Sequence, residues 1–244
     1  MVRCNDGQKN FPRQSTMNSA IIVAAGQGTR FGGNLAKQYQ PLAGKPLLCH
    51  ALNTVCACRT IGAVVLVVAD AEMDYCKTYV LPHVTPICDI RMVPGGAERQ
   101  ASVLNGLTAV GGGADDVVLI HDGVRPFVTR DLIDACLTGL ADADGCMAAI
   151  PSSDTLAAVT PDHVADRIID RNGIWRVQTP QAFWYGVIVE AHRTAVARGW
   201  RVTDDASLLL RLGKKVRVVT GSSGNIKITT PDDMALAQAL ADAL

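Results

Sequence analysis

The chain has 244 residues, 48% of them hydrophobic, and its 23 basic residues are balanced by 23 acidic ones. A chain of this length can bury one large core. With no net charge, there is no overall field to attract nucleic acid or an anionic membrane surface. The apolar run at 63–69 is far shorter than the roughly 20 residues that a membrane-spanning helix needs. Neither nucleic acid nor a membrane is therefore expected as a partner, and any anion site must be local.

The first 18 residues are polar and lack the apolar centre of a signal peptide. We interpret residues 1–18 as a flexible extension that precedes one domain at 19–244. The eight cysteines are scattered through mostly apolar segments. This distribution predicts buried free thiols in a reducing cytoplasm.

Along the domain, runs that predict strands alternate with amphipathic stretches that predict helices. The predicted strands are 19–26, 61–70, 89–96, 115–123, 145–153 and 214–222, and the predicted helices are 46–57, 98–110, 129–141, 204–213 and 231–244. Several strand runs are continuously apolar, as expected when both faces of a sheet are covered. The pattern predicts a doubly wound α/β sandwich with a mainly parallel sheet, whose ligands lie beyond the carboxyl ends of the strands.

The segment 152–183 interrupts this alternation with short alternating pieces and turn residues. We predict a β-arm at about 152–180. Packing of this arm on a partner subunit would explain both its polarity and the presence of Trp175 in it.

A glycine-rich stretch, AAGQGTRFG at 24–32, follows the first predicted strand. Glycines let backbone N–H groups surround phosphate oxygens, and Arg30 adds positive charge. The spacing matches neither a dinucleotide fingerprint nor a P-loop, so a plain turn is the alternative. Lys37 follows closely enough to reach over bound phosphates and neutralise charge in a transition state. Its alternative is a solvated surface lysine.

Four further stretches carry candidate residues. Asp122 ends the strand in LIHDGVRPF (119–127), where it could hold Mg²⁺ or simply pair with Arg125. The stretch PGGAERQASV (94–103) places two glycines before a helix that begins near Glu98, and free N–H groups there suit a base edge or an anion. Lys227 alternates with two isoleucines and faces either a polar cleft or solvent. Thr203 is a candidate N-cap for the helix that follows it.

Seven motifs in order carry a resemblance to one family: AAGQGTRFG, AKQY, GGAERQASV, HDGVRPF, DRNGIWRVQTPQAF, TDDAS and GNIKIT. From about residue 19 to its end, the chain resembles the 2-C-methyl-D-erythritol 4-phosphate cytidylyltransferases. The resemblance implies a Rossmann-like nucleotidyltransferase domain and a homodimer joined by the β-arm. It also implies transfer of CMP from CTP to methylerythritol phosphate in the non-mevalonate isoprenoid pathway, with release of pyrophosphate.

The same resemblance implies residue roles. The CTP loop would comprise Ala24, Ala25, Gly26 and Gly28, with Arg30 and Lys37 on the triphosphate and Gly96 and Ser102 on the base. Asp122 would lie by the ribose and Mg²⁺, or another divalent cation. Arg125 would lie nearby, and Arg171 would reach across from the neighbouring subunit to bind the methylerythritol phosphate together with Thr179, Thr203 and Lys227. Arg30, Lys37 and Lys227 would stabilise the charge of the transition state.

Four positions depart from the family pattern. Val23 stands where proline is common, Ala97 and Gly224 where acidic residues are common, and Ala157 where a basic residue is common. The Gly224 departure puts one contact to the acceptor's hydroxyls in question. The rival interpretations are a ribitol 5-phosphate cytidylyltransferase and a non-catalytic regulator that binds CTP.

Overall fold

The computed structural model describes residues 18–26, 31 and 35–243. Of the predicted extension at 1–18, only Asn18 lies among them, and it already belongs to the first strand, one residue before the predicted start. Gly28 and Arg30, both predicted to bind CTP, lie outside the described residues.

The secondary structure follows the predicted alternation, with additional elements. The strands are β1 (Asn18–Val23), β2 (Pro41–Leu42), β3 (Lys45–Pro46), β4 (Ile61–Val68), β5 (Asp89–Pro94), β6 (Val117–Asp122), β7 (Gly145–Pro151), β8 (Leu156–Val159), β9 (Ala165–Ile169), β10 (Trp175–Trp184) and β11 (Val216–Thr220). The α-helices are α1 (Leu47–Cys56), α2 (Met73–Tyr79), α3 (Arg99–Val110), α4 (Arg130–Thr138), α5 (Tyr185–Ala197), α6 (Ala206–Arg211) and α7 (Pro231–Asp242).

Within the described residues, the main sheet has seven strands in the order β11-β7-β10-β6-β1-β4-β5. All neighbouring pairs are parallel except those of β10, which runs antiparallel to both β6 and β7. The mainly parallel α/β sandwich is therefore confirmed. The carboxyl ends of β1, β4, β5 and β6 lie side by side at one edge, where a ligand cleft is expected.

Helices cover both faces of the sheet because successive strand residues point to opposite sides. Ile22 of β1 packs in one core cluster with Leu48 and Leu52 of α1. Its neighbour Ile21 packs in a second cluster with Val103 and Leu107 of α3. This two-sided burial explains why the strand runs are apolar without alternation.

Among the elements that the sequence pattern did not predict are β10 and α5. The first part of β10 carries polar residues and Pro180, so its hydrophobic pattern does not show the regular alternation of a strand. This strand is stabilised by antiparallel pairing with β6 and β7, and such tertiary contacts cannot be predicted from the local sequence. In contrast, the start of α7 was predicted correctly: Thr230 caps it, Pro231 begins it and Asp233 completes a capping box.

The predicted arm contains a β-hairpin formed by β8 and β9, which pair antiparallel outside the main sheet. The structure differs from the predicted bounds of about 152–180, because β10 begins at Trp175 and pairs with β7 from that residue onward. Among the helices that the structure describes, none is long and apolar enough to cross a membrane.

Candidate active site

A cleft of about 410 Å³ opens at the carboxyl ends of the central strands. It is lined by residues 23–26 at the end of β1, 69–70 after β4 and 95–99 after β5, together with Lys37, Asp122 and Lys227. The structure thus brings together Ala24, Ala25, Gly26, Lys37, Gly96, Ser102, Asp122 and Lys227, all of which the sequence predicted for one site.

Asp122 lies at the floor of the cleft, where it is 5% exposed. Its Oδ2 accepts from Nζ of Lys227 at 2.7 Å, and its Oδ1 accepts from Nε of Arg99 at 2.9 Å. Burial alone would raise the pKa of this carboxyl, but the positive charges of Arg99 and Lys227 outweigh it and hold that pKa well below its usual range. Asp122 is therefore a fixed anion that orients two cations.

Arg125 does not pair with Asp122, so that alternative for the loop is wrong. Instead, its Nη1 donates to the backbone carbonyl of Asn225 at 2.8 Å. Asn225 in turn donates from Nδ2 to the carbonyl of Thr179 at 2.8 Å. These bonds hold the segment that carries Lys227 close to the end of β6. Lys227 lines the cleft, with its side chain 38% exposed.

A second carboxylate supports the first from behind. Arg99 donates from Nη1 to Oδ2 of Asp205 at 2.7 Å, and Oδ1 of Asp205 lies 3.2 Å from Nε2 of the buried His192. Burial raises the pKa of Asp205, but the opposing effect of Arg99 and His192 is larger. The net pKa of Asp205 is therefore below its ordinary value. Asp205 and Arg99 were not among the predicted site residues. Their pairing across 106 positions leaves no local signal in the sequence.

The β5 loop approaches the β1 loop without room for side chains. A Cβ on Gly95 would lie 2.3 Å from Cβ of Ala25, and one on Gly96 would lie 2.5 Å from Cβ of Ala101. The Ser102 hydroxyl accepts from the Gly96 N–H at 3.0 Å and donates to the Glu98 carbonyl at 3.1 Å. Ser102 therefore braces this loop at the start of α3.

Lys37 begins a 3₁₀ turn, Lys37–Tyr39, that borders the cleft. The next residue, Gln38, is 1% exposed and donates from Nε2 to Oε2 of Glu72 at 3.1 Å. This bond anchors the turn to the segment between β4 and α2. The position of Lys37 is thus set by a buried neighbour.

His121, Thr179 and the turn after β6 form a buried chain beneath the cleft. The Thr179 hydroxyl accepts from the Asp122 N–H at 3.0 Å and lies 3.1 Å from Nδ1 of His121. Nε2 of His121 lies 3.2 Å from the carbonyl oxygen of Arg125. Burial lowers the pKa of His121 to about 4. The Thr179 side chain, predicted to bind the acceptor, is thus used within the fold.

Thr203 and Arg171 lie apart from the residues that line this cleft. Thr203 borders a separate shallow groove beside Glu98. It does not cap the following helix, since α6 begins at Ala206 and Asp204 accepts from the Ser207 N–H at 3.2 Å. Arg171 lies at the base of the arm, where its Nη1 donates to the carbonyl of Ser153.

These features define a class of protein: an α/β nucleotide-binding fold whose sheet edge presents a glycine-lined loop, two lysines and a buried aspartate to one cleft. The comparisons specify the family. The family model described as 2-C-methyl-D-erythritol 4-phosphate cytidylyltransferase matches residues 18–242. The chain belongs to this family.

Individual relatives agree over nearly the whole chain. The chain is 44% identical to the 2-C-methyl-D-erythritol 4-phosphate cytidylyltransferase of Geotalea uraniireducens over 222 residues, which cover 91% of this chain and 95% of that one. It is 43% identical to the enzyme of the same name from Symbiobacterium thermophilum, with coverage of 91% and 92%.

Solved structures support the same assignment. The 4-diphosphocytidyl-2C-methyl-D-erythritol synthase of Anaerococcus prevotii matches with a TM-score of 0.80 and 33% identity, covering 93% of this chain and 96% of that one. The cytidylyltransferase of Thermus thermophilus matches with a TM-score of 0.75 and 30% identity, covering 93% and 100%. The predicted family, the Rossmann-like nucleotidyltransferase fold and the class of enzyme, a cytidylyltransferase, are confirmed.

Proposed function

We propose that this chain transfers CMP from CTP to 2-C-methyl-D-erythritol 4-phosphate, giving 4-diphosphocytidyl-2-C-methyl-D-erythritol and pyrophosphate. The observation that carries the proposal is the Lys227–Asp122–Arg99 arrangement, with Lys37 lining the same cleft. Two lysines beside a fixed carboxylate suit a reaction in which two anions must meet. Family membership supports the choice of substrates.

The proposed reaction needs no general base, because the acceptor's phosphate is already an anion at neutral pH. One of its oxygens forms a bond to the α-phosphorus of CTP while the bond from that phosphorus to the bridging oxygen breaks, and pyrophosphate leaves. Lys37 and Lys227 then stabilise the charge on the phosphoryl oxygens in the transition state. Asp122 holds Lys227 in place before the substrates arrive. Arg30 is assigned to the triphosphate by the resemblance alone.

The nucleotide would lie along the loops after β1 and β5. Ala24, Ala25 and Gly26 line one wall, and Gly96 lines the other with Ser102 behind it. The close approach of Gly95 to Ala25 supports a narrow slot for a flat base. Gly28 completes the loop in the family pattern.

We further propose a divalent cation, Mg²⁺ by preference, that enters with the nucleotide. The described residues contain no cluster of three or more histidine, cysteine or acidic side chains arranged to hold a metal ion. Asp122 offers a buried carboxylate to the cleft, and both of its oxygens already accept from cations. Such a site fits Mg²⁺, which often takes most of its protein-site ligands from substrate phosphates and water. When bound, the ion would neutralise phosphate charge.

The acceptor would be held partly by a second subunit. Arg171 is absent from the lining of its own cleft, yet a guanidinium matches a phosphate group bidentately. Apolar side chains of the arm and of the first part of β10 are exposed in the single chain: Val159, Val164, Ile168, Ile174, Trp175 and Val177. A homodimer joined by this surface would cover them and deliver Arg171 to the neighbouring cleft. The roles expected of Arg125, Thr179 and Thr203 stay predictions.

The seven described cysteines are buried and free, which supports the cytoplasmic location that we propose.

One assay tests the reaction. Pyrophosphate release is measured with CTP, Mg²⁺ and either methylerythritol phosphate or ribitol 5-phosphate. We expect turnover with the first acceptor. Turnover with ribitol 5-phosphate alone would instead assign the rival activity, and CTP binding without turnover would favour a regulator.

The subunit arrangement has its own test. Arg171→Ala and Lys37→Ala are each prepared as inactive variants and then mixed after unfolding and refolding together. If Arg171 acts across the dimer, each mixed dimer holds one intact composite site, and about a quarter of wild-type activity returns. No recovery would place Arg171 in the cleft of its own chain.

A further inference from the structure

The buried hydrogen bonds beneath the cleft link Asp122, Thr179, His121 and Arg125, and the donor and the acceptor of each bond can be assigned. The Asp122 N–H can only donate, so the Thr179 hydroxyl oxygen accepts from it. The Arg125 carbonyl can only accept, so Nε2 of His121 carries the hydrogen that bridges them. What remains is the contact between the Thr179 hydroxyl and Nδ1 of His121.

That contact has one satisfactory direction. Thr179 is 4% exposed and His121 is fully buried, so an unpaired hydroxyl proton would be costly there. If Nδ1 carried a hydrogen, it would donate to Thr179, and the hydroxyl proton would have no acceptor among the described residues. If Nδ1 is bare, it accepts that proton, and all four groups are satisfied.

These hydrogen bonds also fix the turn 122–125, which carries Asp122. The Arg125 N–H donates to the Asp122 carbonyl at 3.0 Å, while its own carbonyl faces His121. The ring therefore braces the turn 122–125 from below, and Thr179 ties that turn to β10. The side chain of Asp122, which holds Lys227 at 2.7 Å, depends on this backbone position.

We propose that His121 is a positioning residue: as the neutral Nε2–H tautomer, clamped between the Thr179 hydroxyl and the Arg125 carbonyl, it fixes Asp122 and through it Lys227. The Thr179 hydroxyl accordingly bonds within the protein, where it connects the His121 ring to the backbone N–H of Asp122. This inference rests on the proposed transfer reaction for its effect on catalysis, but the tautomer can be observed without any substrate.

The first experiment is spectroscopic. In ¹⁵N-labelled protein, long-range ¹H–¹⁵N correlations distinguish a bare ring nitrogen from a protonated one, and the signals of His121 among the five histidines are those lost in His121→Asn. We expect a bare Nδ1 and a protonated Nε2. A protonated Nδ1, or averaging between two tautomers, would overturn the proposal whether or not the enzyme accepts methylerythritol phosphate.

The second experiment separates positioning from substrate binding. Thr179→Val keeps the shape but removes the hydroxyl, so we expect kcat to fall about tenfold, corresponding to one buried hydrogen bond. The KM for the acceptor should stay within about twofold, since no substrate contact is lost. The Nδ1 resonance of His121 should shift in this variant. Thr179→Ser should restore both readouts.

Two contrary results are clear. A large rise in the KM for the acceptor with an unchanged His121 spectrum would make Thr179 a direct substrate ligand. An unchanged kcat in Thr179→Val would show that the clamp does not matter for catalysis. Thermal unfolding of each variant confirms that it is folded, and Thr179→Ser provides a folded reference if Thr179→Val is unstable.

Discussion

The cleft floor and the arm are built from opposite kinds of surface. At the floor, Asp122 and Asp205 are 5% and 1% exposed, and each carboxylate is held by basic partners from distant parts of the chain. In the arm, Ile168 and Val164 are 66% and 62% exposed and have no core of their own. The floor is held by ion pairs within one chain, whereas the arm exposes apolar surface that the proposed dimer would cover.

This difference separates two tasks. Charges that are fixed before substrates bind need no reorganisation during the reaction, so they act mainly on turnover and on the stability of the fold. In the proposed dimer, the apolar arm would act through association of the two subunits. Changes at the floor should therefore alter chemistry or folding in the single chain, and changes in the arm should alter the dimer while leaving each chain folded.

Lys37→Ala should reduce turnover more than any other of the proposed substitutions. A smaller effect would contradict the assignment of catalysis to the cleft. We expect kcat to fall about 10²–10³-fold, because a charge that acts on the transition state is lost. The KM values should change much less. Lys215→Ala is the control, since Lys215 pairs with Asp142 on the exposed edge of the sheet. Unchanged turnover in Lys37→Ala would remove this lysine from the mechanism.

Asp205→Asn tests whether the floor stabilises the fold. The substitution leaves Arg99 without one buried partner, so we expect a loss of about 3 kcal/mol in the free energy of unfolding at pH 7. The pKa of Asp205 is lowered in the folded state, so its contribution is present above the pKa of an unfolded aspartate and disappears as pH falls through the folded value. The difference between wild type and variant should thus be constant above about pH 5 and shrink in acid.

Denaturant unfolding at a series of pH values measures this difference. Asp142→Asn is the matched control, because its carboxylate forms exposed pairs with Lys215 and Arg217 and should contribute much less. A difference for Asp205→Asn that grows in acid would contradict the assigned direction of the pKa shift.

The cleft could be predicted from the sequence only in part. Lys37, Asp122 and Lys227 could be placed in one cleft because carboxyl ends of parallel strands converge and because the motif order is specific to the family. Arg99 and Asp205 could not, since an ion pair between distant segments depends on tertiary packing. Likewise, β10 escaped prediction because two neighbouring strands, rather than its own residues, determine its conformation.

Gly95→Ala tests the width of the slot between the β1 and β5 loops. The new Cβ would lie 2.3 Å from Cβ of Ala25, so the loops must separate, and we expect the KM for CTP to rise about tenfold. Gly224→Ala is the control, since its Cβ would meet only Oγ of Ser222 at 3.5 Å. Equal KM values in both variants would argue against nucleotide binding in this slot.

Ile168→Ser should have the smallest effect on the folded chain and the clearest effect on assembly. Because Ile168 is exposed in the single chain, its replacement should change the free energy of unfolding of a monomer by less than about 0.5 kcal/mol. In the proposed dimer the same side chain would be covered, so the variant should dissociate at a higher protein concentration. Activity should then fall upon dilution, because Arg171 no longer reaches the neighbouring cleft.

Val196→Ser is the matched control, since Val196 is 63% exposed but lies on α5, outside the arm. Sedimentation across a dilution series compares the two variants with the wild type. Equal dissociation of all three proteins would show that the exposure of Ile168 does not mark an interface. Selective dissociation of Ile168→Ser, with the floor and its unfolding unchanged, would establish that the arm acts through association alone.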